Sequence, residues 1–250
     1  MLGNILRILT PERFRPIGYL NHLVRERTGL AVRDGFFKGM RYIHSSVGSA
    51  YIPKLLGIYE RELTPCVEAL ISQSPRLVVD VGAAEGYYAV GLARRLPEAK
   101  VIAFEMEANG QKALHEMAKL NNVTSRLDVR GRCEPSDLAA ALGTERHAVV
   151  VCDVEGYEEK LLDPSAVPAL RNVAILVELH DFIIPKITET LKQRFGETHH
   201  ISHIWQEPRT PSDFPWRTLG TKLLPPSYID WAVSEWRPVK MAWLWMEPKI

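Results

Sequence analysis

From Arg76 onward, short apolar segments alternate with segments of helical periodicity, and this alternation constrains the fold more than any other feature of the chain. Apolar runs of four or five residues suit strands that are buried on both faces, and a helix between consecutive strands suits the crossover of a parallel sheet. The predicted strands are residues 77–81, 101–104, 126–129, 149–152 and 174–177. The predicted helices lie near residues 87–96, 110–120, 136–142, 157–162 and 186–195. The pattern predicts a doubly wound, mostly parallel α/β sheet.

The two ends of the chain differ from this middle part. Near the C-terminus, "HHISHIWQE" and "KMAWLWMEP" alternate like strands and flank a helix near residues 228–235, so we expect an antiparallel edge and seven strands in all. Near the N-terminus, Leu20, Leu23 and Val24 have helical spacing, and Asp34-Gly35 marks the turn of a hairpin. We therefore divide the chain into an N-terminal extension of helices and a hairpin, residues 1–75, and a main domain, residues 76–250. The extension would close over a substrate or serve packing.

Composition excludes several classes of protein. The chain is 46% hydrophobic and 24% charged with a net charge of +1, which offers no electrostatic case for nucleic acid or an acidic membrane as its main partner. Its three cysteines cannot all pair with one another and lack metal-ligand spacing, which favours reduced thiols. The apolar start "MLGNILRILTPERF" is interrupted by Arg7, which leaves it too short to span a membrane. No small-residue cleavage site follows it, so it is not expected to be a signal peptide. We expect a cytoplasmic protein.

The turn from the first strand into its helix is built from small residues, Gly82-Ala83-Ala84-Glu85-Gly86. Glycine adopts backbone angles closed to other residues, and alanine keeps bulk away from a ligand that lies on the backbone. In an open parallel sheet, ligands bind beyond the carboxyl ends of the strands at a switch point, which is where this turn lies. The alternative is a glycine turn that serves only the packing of strand against helix.

The second predicted strand ends in Glu105, about 20 residues after the glycine turn. A carboxylate at this position can accept two hydrogen bonds from the hydroxyls of a ribose. An acid that is merely solvated at a strand end is the alternative. Together, the turn and Glu105 predict a cofactor that contains a nucleoside.

The chemistry of the turn narrows the choice of cofactor. A dinucleotide site has the pattern G-x-G-x-x-G and holds a pyrophosphate at the helix N-terminus, whereas the last glycine here comes one place early and Glu85 adds a negative charge. S-adenosylmethionine has no phosphate and carries a sulfonium and an ammonium group, which suit Asp80 and Glu85. The residues therefore favour S-adenosylmethionine, and NAD is the alternative.

At this point the chain resembles the class I S-adenosylmethionine-dependent methyltransferases in the form of the FkbM-like family, a Rossmann-like fold. "VVDVGAAEGYYAVGLA" is similar to the first motif of that family, with Ala84 in place of the usual Asn. The matching positions are Asp80, Gly82, Ala83, Gly86 and Tyr88. The resemblance continues through Glu105 to "CDVEGYEEKLL" (residues 152–162) and "VELHD" (residues 177–181). It covers about residues 76–181, and the outer segments would carry the choice of substrate.

The resemblance implies a set of site residues. It places the methyl acceptor near the exits of the fourth and fifth strands, where Asp153, Glu155, Glu178, His180 and Asp181 follow. His180 is the predicted base because its ordinary pKa lies near neutrality, although it could instead orient its loop. Asp153 could contact either the cofactor's amino group or the acceptor, and Glu155 could instead cap the next helix. The predicted cofactor-binding residues are Asp80, Gly82, Ala83, Ala84, Glu85, Gly86, Glu105 and Asp153, and the predicted catalytic residues are His180, Asp153 and Glu155.

Two metal sites are conceivable, and neither is predicted. Asp153, Glu178 and Asp181 offer oxygen ligands to a magnesium-like ion, but nothing in their spacing demands one. His199 and His203 share one face of a strand while His200 points away, so these three imidazoles cannot converge from that strand alone.

The expected activity is methylation of a hydroxyl on a small glycan or a secondary metabolite. An acidic rim with one histidine suits neutral polyols and would repel a carboxylate. Nucleic acid is disfavoured as substrate because amino-methylating enzymes of that kind carry an Asn/Asp-Pro-Pro-aromatic motif where this chain has Asp153-Val154-Glu155-Gly156. We expect no membrane partner, and the oligomeric state stays open. The alternatives are an NAD-dependent oxidoreductase and a cofactor-binding partner protein without catalytic activity.

Overall fold

The computed structural model describes residues 15–249, and within them the strands form one seven-stranded sheet. The strand order is β3-β2-β1-β4-β5-β7-β6. The strands are β1 (Leu77–Val81), β2 (Lys100–Phe104), β3 (Leu127–Arg130), β4 (Ala148–Cys152), β5 (Ala174–Leu179), β6 (His199–Trp205) and β7 (Ala242–Pro248). The predicted strands are therefore confirmed to within one or two residues.

The helices predicted near residues 87–96, 110–120, 136–142, 157–162, 186–195 and 228–235 are found to within two residues, among ten α-helices in residues 15–249. The ten helices are α1 (Pro16–Thr28), α2 (Tyr51–Leu56), α3 (Thr64–Ser72), α4 (Tyr87–Arg95), α5 (Ala108–Leu120), α6 (Pro135–Leu142), α7 (Glu158–Leu161), α8 (Ile187–Phe195), α9 (Leu219–Leu223) and α10 (Pro226–Val233). Short 3-10 turns cover Arg61–Leu63, Thr124–Arg126, Pro168–Asn172 and Pro211–Asp213.

Strand β1 lies at the centre of the sheet, parallel to β2 on one side and to β4 on the other. Val81, Phe104 and Cys152 stand level with one another, so the three strands end at the same height. Strand β7 runs antiparallel to both β5 and β6. The predicted Rossmann-like sheet with an antiparallel edge is confirmed, and its switch point lies where β1 separates the two halves.

The central strands are apolar along their whole length, because other elements pack on both faces of the sheet. Every residue of β1, β4 and β5 is buried. On one face, Val79, Val150 and Val177 pack in a cluster with Leu161 and Leu191 from α7 and α8. Burying a side chain of this size contributes about 1.5–3 kcal/mol, so the alternation seen in the sequence is also the main source of stability.

Contacts divide the chain into two compact units. One contains Glu62–Gln206 with Pro238–Ile250 and holds the whole sheet. The other contains Met1–Arg61, of which residues from 15 onward are described, with Glu207–Arg237. Inside this second unit, the buried Glu235 carboxylate pairs with Arg209 at 2.6 Å and accepts the Glu60 N–H at 3.0 Å. These charged groups connect its two chain segments, which are far apart in sequence.

The N-terminal hairpin is minimal. A single antiparallel bridge joins Ala31 to Arg41, and the Val32 N–H donates to the Met40 carbonyl at 2.8 Å. Between these residues, Phe36 and Phe37 are buried and contact each other edge to face.

Among residues 15–249, no helix has the length and hydropathy that a lipid bilayer span requires. The apolar start of the chain, interpreted above as too short for a span, lies outside the described residues. Cys66, Cys133 and Cys152 are buried, and none of them forms a disulfide.

Candidate functional site

The glycine turn at the exit of β1 is held by packing as well as by backbone conformation. Gly82, Ala84 and Gly86 all have positive φ, at +87°, +48° and +94°. A Cβ at residue 82 would lie 1.7 Å from the carbonyl oxygen of Asp153, so the loops after β1 and β4 meet at a glycine. Alanine rarely adopts the conformation of Ala84, and such local strain is typical of functional sites. Tight packing therefore fixes the conformation of this turn.

The amide groups of the turn are largely committed to partners inside the protein. Gly82 and Ala83 both donate to the carbonyl of Phe104 at 3.0 Å, and Gly86 donates to the carbonyl of Ala83 at 2.7 Å. Ala84 donates to the carboxylate of Glu105 at 2.7 Å. Little donor capacity is left for an anion on this backbone.

Glu105 is buried against the turn and only 8% exposed. One carboxylate oxygen accepts the Ala84 N–H and the other accepts the Glu107 N–H, each at 2.7 Å. A Cβ at Gly110 would lie 2.7 Å from the carboxyl carbon, so that glycine lets α5 pass the carboxylate. Each carboxylate oxygen can accept a second hydrogen bond, so the group can still receive a diol.

The other two acids of this region are also buried. Asp80 lies within β1, and Glu85, in the turn itself, has no exposed surface. Together with Glu105 they surround the turn with carboxyl groups. A negative ligand would be repelled here, and a positive one would be favoured.

His180 follows β5 and lies between two carboxylates. Its Nδ1 atom is 2.5 Å from Oε1 of Glu158, and its Nε2 atom is 3.7 Å from Oδ1 of Asp153. Glu158 is fully buried, whereas the Asp153 side chain is partly exposed. The Gly156 N–H, at the exit of β4, donates to both oxygens of Glu158, at 3.2 and 3.0 Å. Glu158 therefore fixes the orientation of the imidazole, and Nε2 faces the partly exposed Asp153.

The surroundings of His180 raise its pKa above the ordinary value of 6.5. Burial is the largest single influence and lowers the pKa. The hydrogen bond to Glu158 outweighs burial when it acts with the charges of Asp153, Glu158 and Glu155. The protonated ring is favoured because three carboxylates surround it.

The loop after β4 also contains strained backbone. Glu155 is exposed with a φ of +47°, and the next residue, Gly156, has a φ of +105°. A Cβ at residue 156 would lie 2.8 Å from a methyl group of Ile183, so the loops after β4 and β5 touch here. Glu155 thus lies at the rim, close enough for its charge to act on His180.

Asp153, Glu178 and His180 come together, and Asp181 does not join them. One ligand atom from each of these three residues lies within 4.8 Å of the others. Asp181 instead accepts hydrogen bonds from the backbone and hydroxyl of Thr188, in the first turn of α8. The oxygen set considered from the sequence, which contained Asp181, is therefore not assembled.

The histidines of β6 do not converge either. His199 is buried and hydrogen-bonds Thr198 and the carbonyl of Val173, His200 is exposed, and His203 bonds Lys192.

Glu158 is the site residue that sequence reasoning missed. The sequence pattern assigns it only to the helix predicted near residues 157–162. Its spacing to Leu161 and Leu162 places all three on one helical face, and an acid on a buried face needs a partner. That signal was available in the sequence, but the identity of the partner was not.

Comparisons with known proteins find similarity only to solved structures of low sequence identity. No protein-family model and no curated protein matches it. It is similar to the O-methyltransferase TomG from Streptomyces achromogenes in complex with SAM, at 13% identity and a TM-score of 0.46, covering 100% of this chain and 96% of that chain. An O-methyltransferase from Bacillus cereus in complex with SAH gives 13% identity and a TM-score of 0.47, with 99% and 96% covered.

A precorrin-6Y C5,15-methyltransferase from Geobacter metallireducens GS-15 gives 12% identity and a TM-score of 0.47, with 73% of this chain and 87% of that chain covered. Likenesses at this level establish neither the ligand nor the reaction of this chain. Both have to be argued from its own residues.

Proposed function

We propose that this protein is an S-adenosylmethionine-dependent methyltransferase that methylates a hydroxyl group on a small neutral acceptor, a glycan or a secondary metabolite. The observation that carries the proposal is the hydrogen bond from Ala84 N–H to the buried Glu105 carboxylate at the exit of β1. This hydrogen bond joins the glycine turn to Glu105, the acid at the end of β2, and these are the two features that predict a nucleoside cofactor.

The same hydrogen bond argues against a dinucleotide. A pyrophosphate needs free backbone N–H groups at the turn and is disfavoured by a negative charge beside them. Here Gly82, Ala83, Ala84 and Gly86 already donate to protein acceptors, and Glu85 adds negative charge within the turn. A cofactor without phosphate and with positive charge fits these residues, which favours S-adenosylmethionine over NAD.

Glu105 would hold the ribose hydroxyls through its second pair of acceptor sites, and the small side chains of Ala83 and Ala84 would leave room for the nucleoside. Asp80 and Asp153 would favour the cationic groups. When bound, S-adenosylmethionine supplies a methyl group on a sulfonium, which is already activated for transfer. The protein then has to orient the acceptor, exclude water and accept one proton.

His180 is the proposed proton acceptor. Glu158 holds Nδ1, so the neutral ring keeps its proton there and its lone pair on Nε2, facing Asp153 and the rim. A hydroxyl at that position would give its proton to Nε2 as the methyl–oxygen bond forms. The resulting imidazolium would be stabilised by Glu158, Asp153 and Glu155, the groups that raise the pKa of His180.

The test is ligand-dependent stabilisation followed by turnover. Saturating S-adenosylhomocysteine at about 100 times its Kd should stabilise the protein by about 2.7 kcal/mol in thermal unfolding, and NAD should have no effect. Stabilisation by NAD alone would replace the proposal with the oxidoreductase alternative. Binding of S-adenosylhomocysteine with no methyl transfer to any of a broad panel of hydroxylated compounds would favour a binding protein without catalytic activity.

A further inference from the structure

A cleft of about 300 Å³ opens beside the proposed base, at the carboxyl end of β5. Leu179, Ala242 and Trp205 stand level on three adjacent strands and all line it. His180 does not line the cleft, but its ring centroid lies 5.8 Å from that of Phe182, which does. Its volume is at the lower end of the range for sites that take small molecules.

Large apolar side chains form the walls of this cleft. Phe182, Trp205 and Val239 all line it, and their exposed fractions are 49%, 51% and 46%. Single half-exposed apolar side chains are common on protein surfaces, but several that line one concave surface usually mark a binding site. Aromatic walls of this kind suit a ligand with at least one apolar face.

A buried donor points to an oxygen on the ligand. The ammonium of Lys192 donates to Nδ1 of His203 at 3.1 Å, which leaves the ring proton on Nε2. That Nε2 is buried and has no hydrogen-bond partner among residues 15–249. Burial first, and the charge of Lys192 second, lower the pKa of His203 against the opposing effect of Asp181 and Glu189, so the ring stays neutral. A buried N–H without an acceptor is unfavourable, and an oxygen of a ligand would satisfy it.

The charges lining the cleft balance. Lys192 and Lys240 supply two cations, and Asp181 and Glu189 supply two anions. An anionic ligand would therefore gain little net attraction, and a purely apolar one would leave these polar groups unused. A ligand that suits the whole lining is neutral, offers both donors and acceptors, and has an apolar face.

We propose that this cleft binds a pyranose ring of the methyl acceptor, with Phe182 and Trp205 against its C–H face and the Nε2–H of His203 donating to one of its oxygens. Sugar hydroxyls both donate and accept, which matches the mixed lysine and carboxylate lining. This inference rests on the proposed function in one respect, since it assigns the bound sugar to the acceptor. The sugar-binding property can be tested without methyl transfer.

The experiment uses the full-length ¹⁵N-labelled protein and observes the indole N–H signals of its six tryptophans by NMR. Methyl glucoside, mannoside, galactoside and rhamnoside are titrated in separate samples, with and without S-adenosylhomocysteine. We expect a saturable shift of the Trp205 signal with at least one pyranoside. His203→Ala should weaken that binding about 5–10-fold, as expected for the loss of one hydrogen bond.

Two matched controls accompany the variants. His200→Ala removes an exposed histidine from the same strand, and Trp236→Ala removes another half-exposed tryptophan, which does not line the cleft. Neither should change the affinity. Trp205→Ala should abolish the binding and Trp205→Phe, which keeps an aromatic wall, should retain it; calorimetry with the pyranoside measures both, because these variants lack the Trp205 indole signal.

The inference is overturned if no pyranoside shifts Trp205, if His203→Ala binds as well as the wild type, or if a planar phenol such as catechol produces the saturable shift instead. Calorimetry with S-adenosylhomocysteine separates this failure from failure of the proposed function. If the cofactor binds and no pyranoside does, only the proposed pyranose site is contradicted. If a pyranoside binds and the cofactor does not, the pyranose site stands and the proposed methyltransferase function is contradicted.

Discussion

The Nδ1 atom of His180 lies 2.5 Å from Oε1 of Glu158, a carboxylate with no exposed surface. A buried carboxylate is costly unless hydrogen bonds satisfy it, and here both the imidazole and the Gly156 N–H do so. The pair connects the loop after β4 to the loop after β5. Any change to Glu158 should therefore be felt at Nε2 of His180, where the proposed reaction takes its proton.

Replacing Glu158 with Gln tests this connection through the pH dependence of turnover. The active form of a base is neutral, so turnover should rise as pH increases through the pKa of His180, which lies above 6.5 in the wild type. Loss of the Glu158 charge lowers that pKa, and the midpoint of the profile should move to lower pH. Loss of a hydrogen bond to a charged group should also reduce turnover about 10–100-fold.

The control is Glu159→Gln, which changes the exposed neighbour of Glu158 and should leave both the midpoint and the rate unchanged. NMR titration of the His180 ring reads its pKa directly and needs no substrate. A midpoint that does not move in Glu158→Gln would show that Glu158 does not tune His180.

His180→Ala should lose about 10²–10⁴-fold in turnover if its imidazole accepts the proton. Affinity for S-adenosylhomocysteine, measured by calorimetry, should be nearly intact, because all the proposed cofactor contacts except Asp153 lie at the exits of β1 and β2. Near-normal turnover of this variant would transfer the role to Asp153 or Glu155, or to no base at all.

Glu105→Ala should weaken S-adenosylhomocysteine binding by about 1–3 kcal/mol, because it removes a charged acceptor both from the proposed ribose site and from the Ala84 N–H. Glu107→Ala is the matched control, since Glu107 meets Glu105 through its backbone N–H and its side chain is exposed. Calorimetry gives both affinities, and thermal unfolding checks that each variant is folded. Unchanged affinity in Glu105→Ala would remove this residue from the site.

Gly82→Ala should lower the free energy of unfolding by about 1–3 kcal/mol, the usual cost of one strained backbone position. Its φ is +87°, and the added methyl group would lie 1.7 Å from the Asp153 carbonyl oxygen, so the loops after β1 and β4 would have to separate. Gly131→Ala is the control, because a Cβ there meets nothing within 4 Å. Denaturant unfolding compares the two, and equal stabilities would contradict the close approach at Gly82.

The sheet could be predicted from local pattern because each strand of a parallel α/β fold carries its own signal. A run such as residues 77–81 is apolar throughout, since both of its faces are covered, and the adjoining helix has its own periodicity. The site could be predicted in outline for a related reason. Parallel strands end at one edge, so Asp80, Glu105, Asp153 and Glu178 are expected at a common rim from their strand positions alone.

What the sequence determined by itself is therefore the set of residues that reach this rim, because period and strand order are local or nearly local properties. Their partners were decided by the tertiary structure. The pairing of His180 with Glu158, 22 residues earlier, depends on how α7 packs beside the end of β5, and the capping of α8 by Asp181 depends on the course of the intervening loop. Side-chain contacts between distant segments depend on packing at the scale of a few tenths of an ångström, and no spacing along the chain encodes that scale.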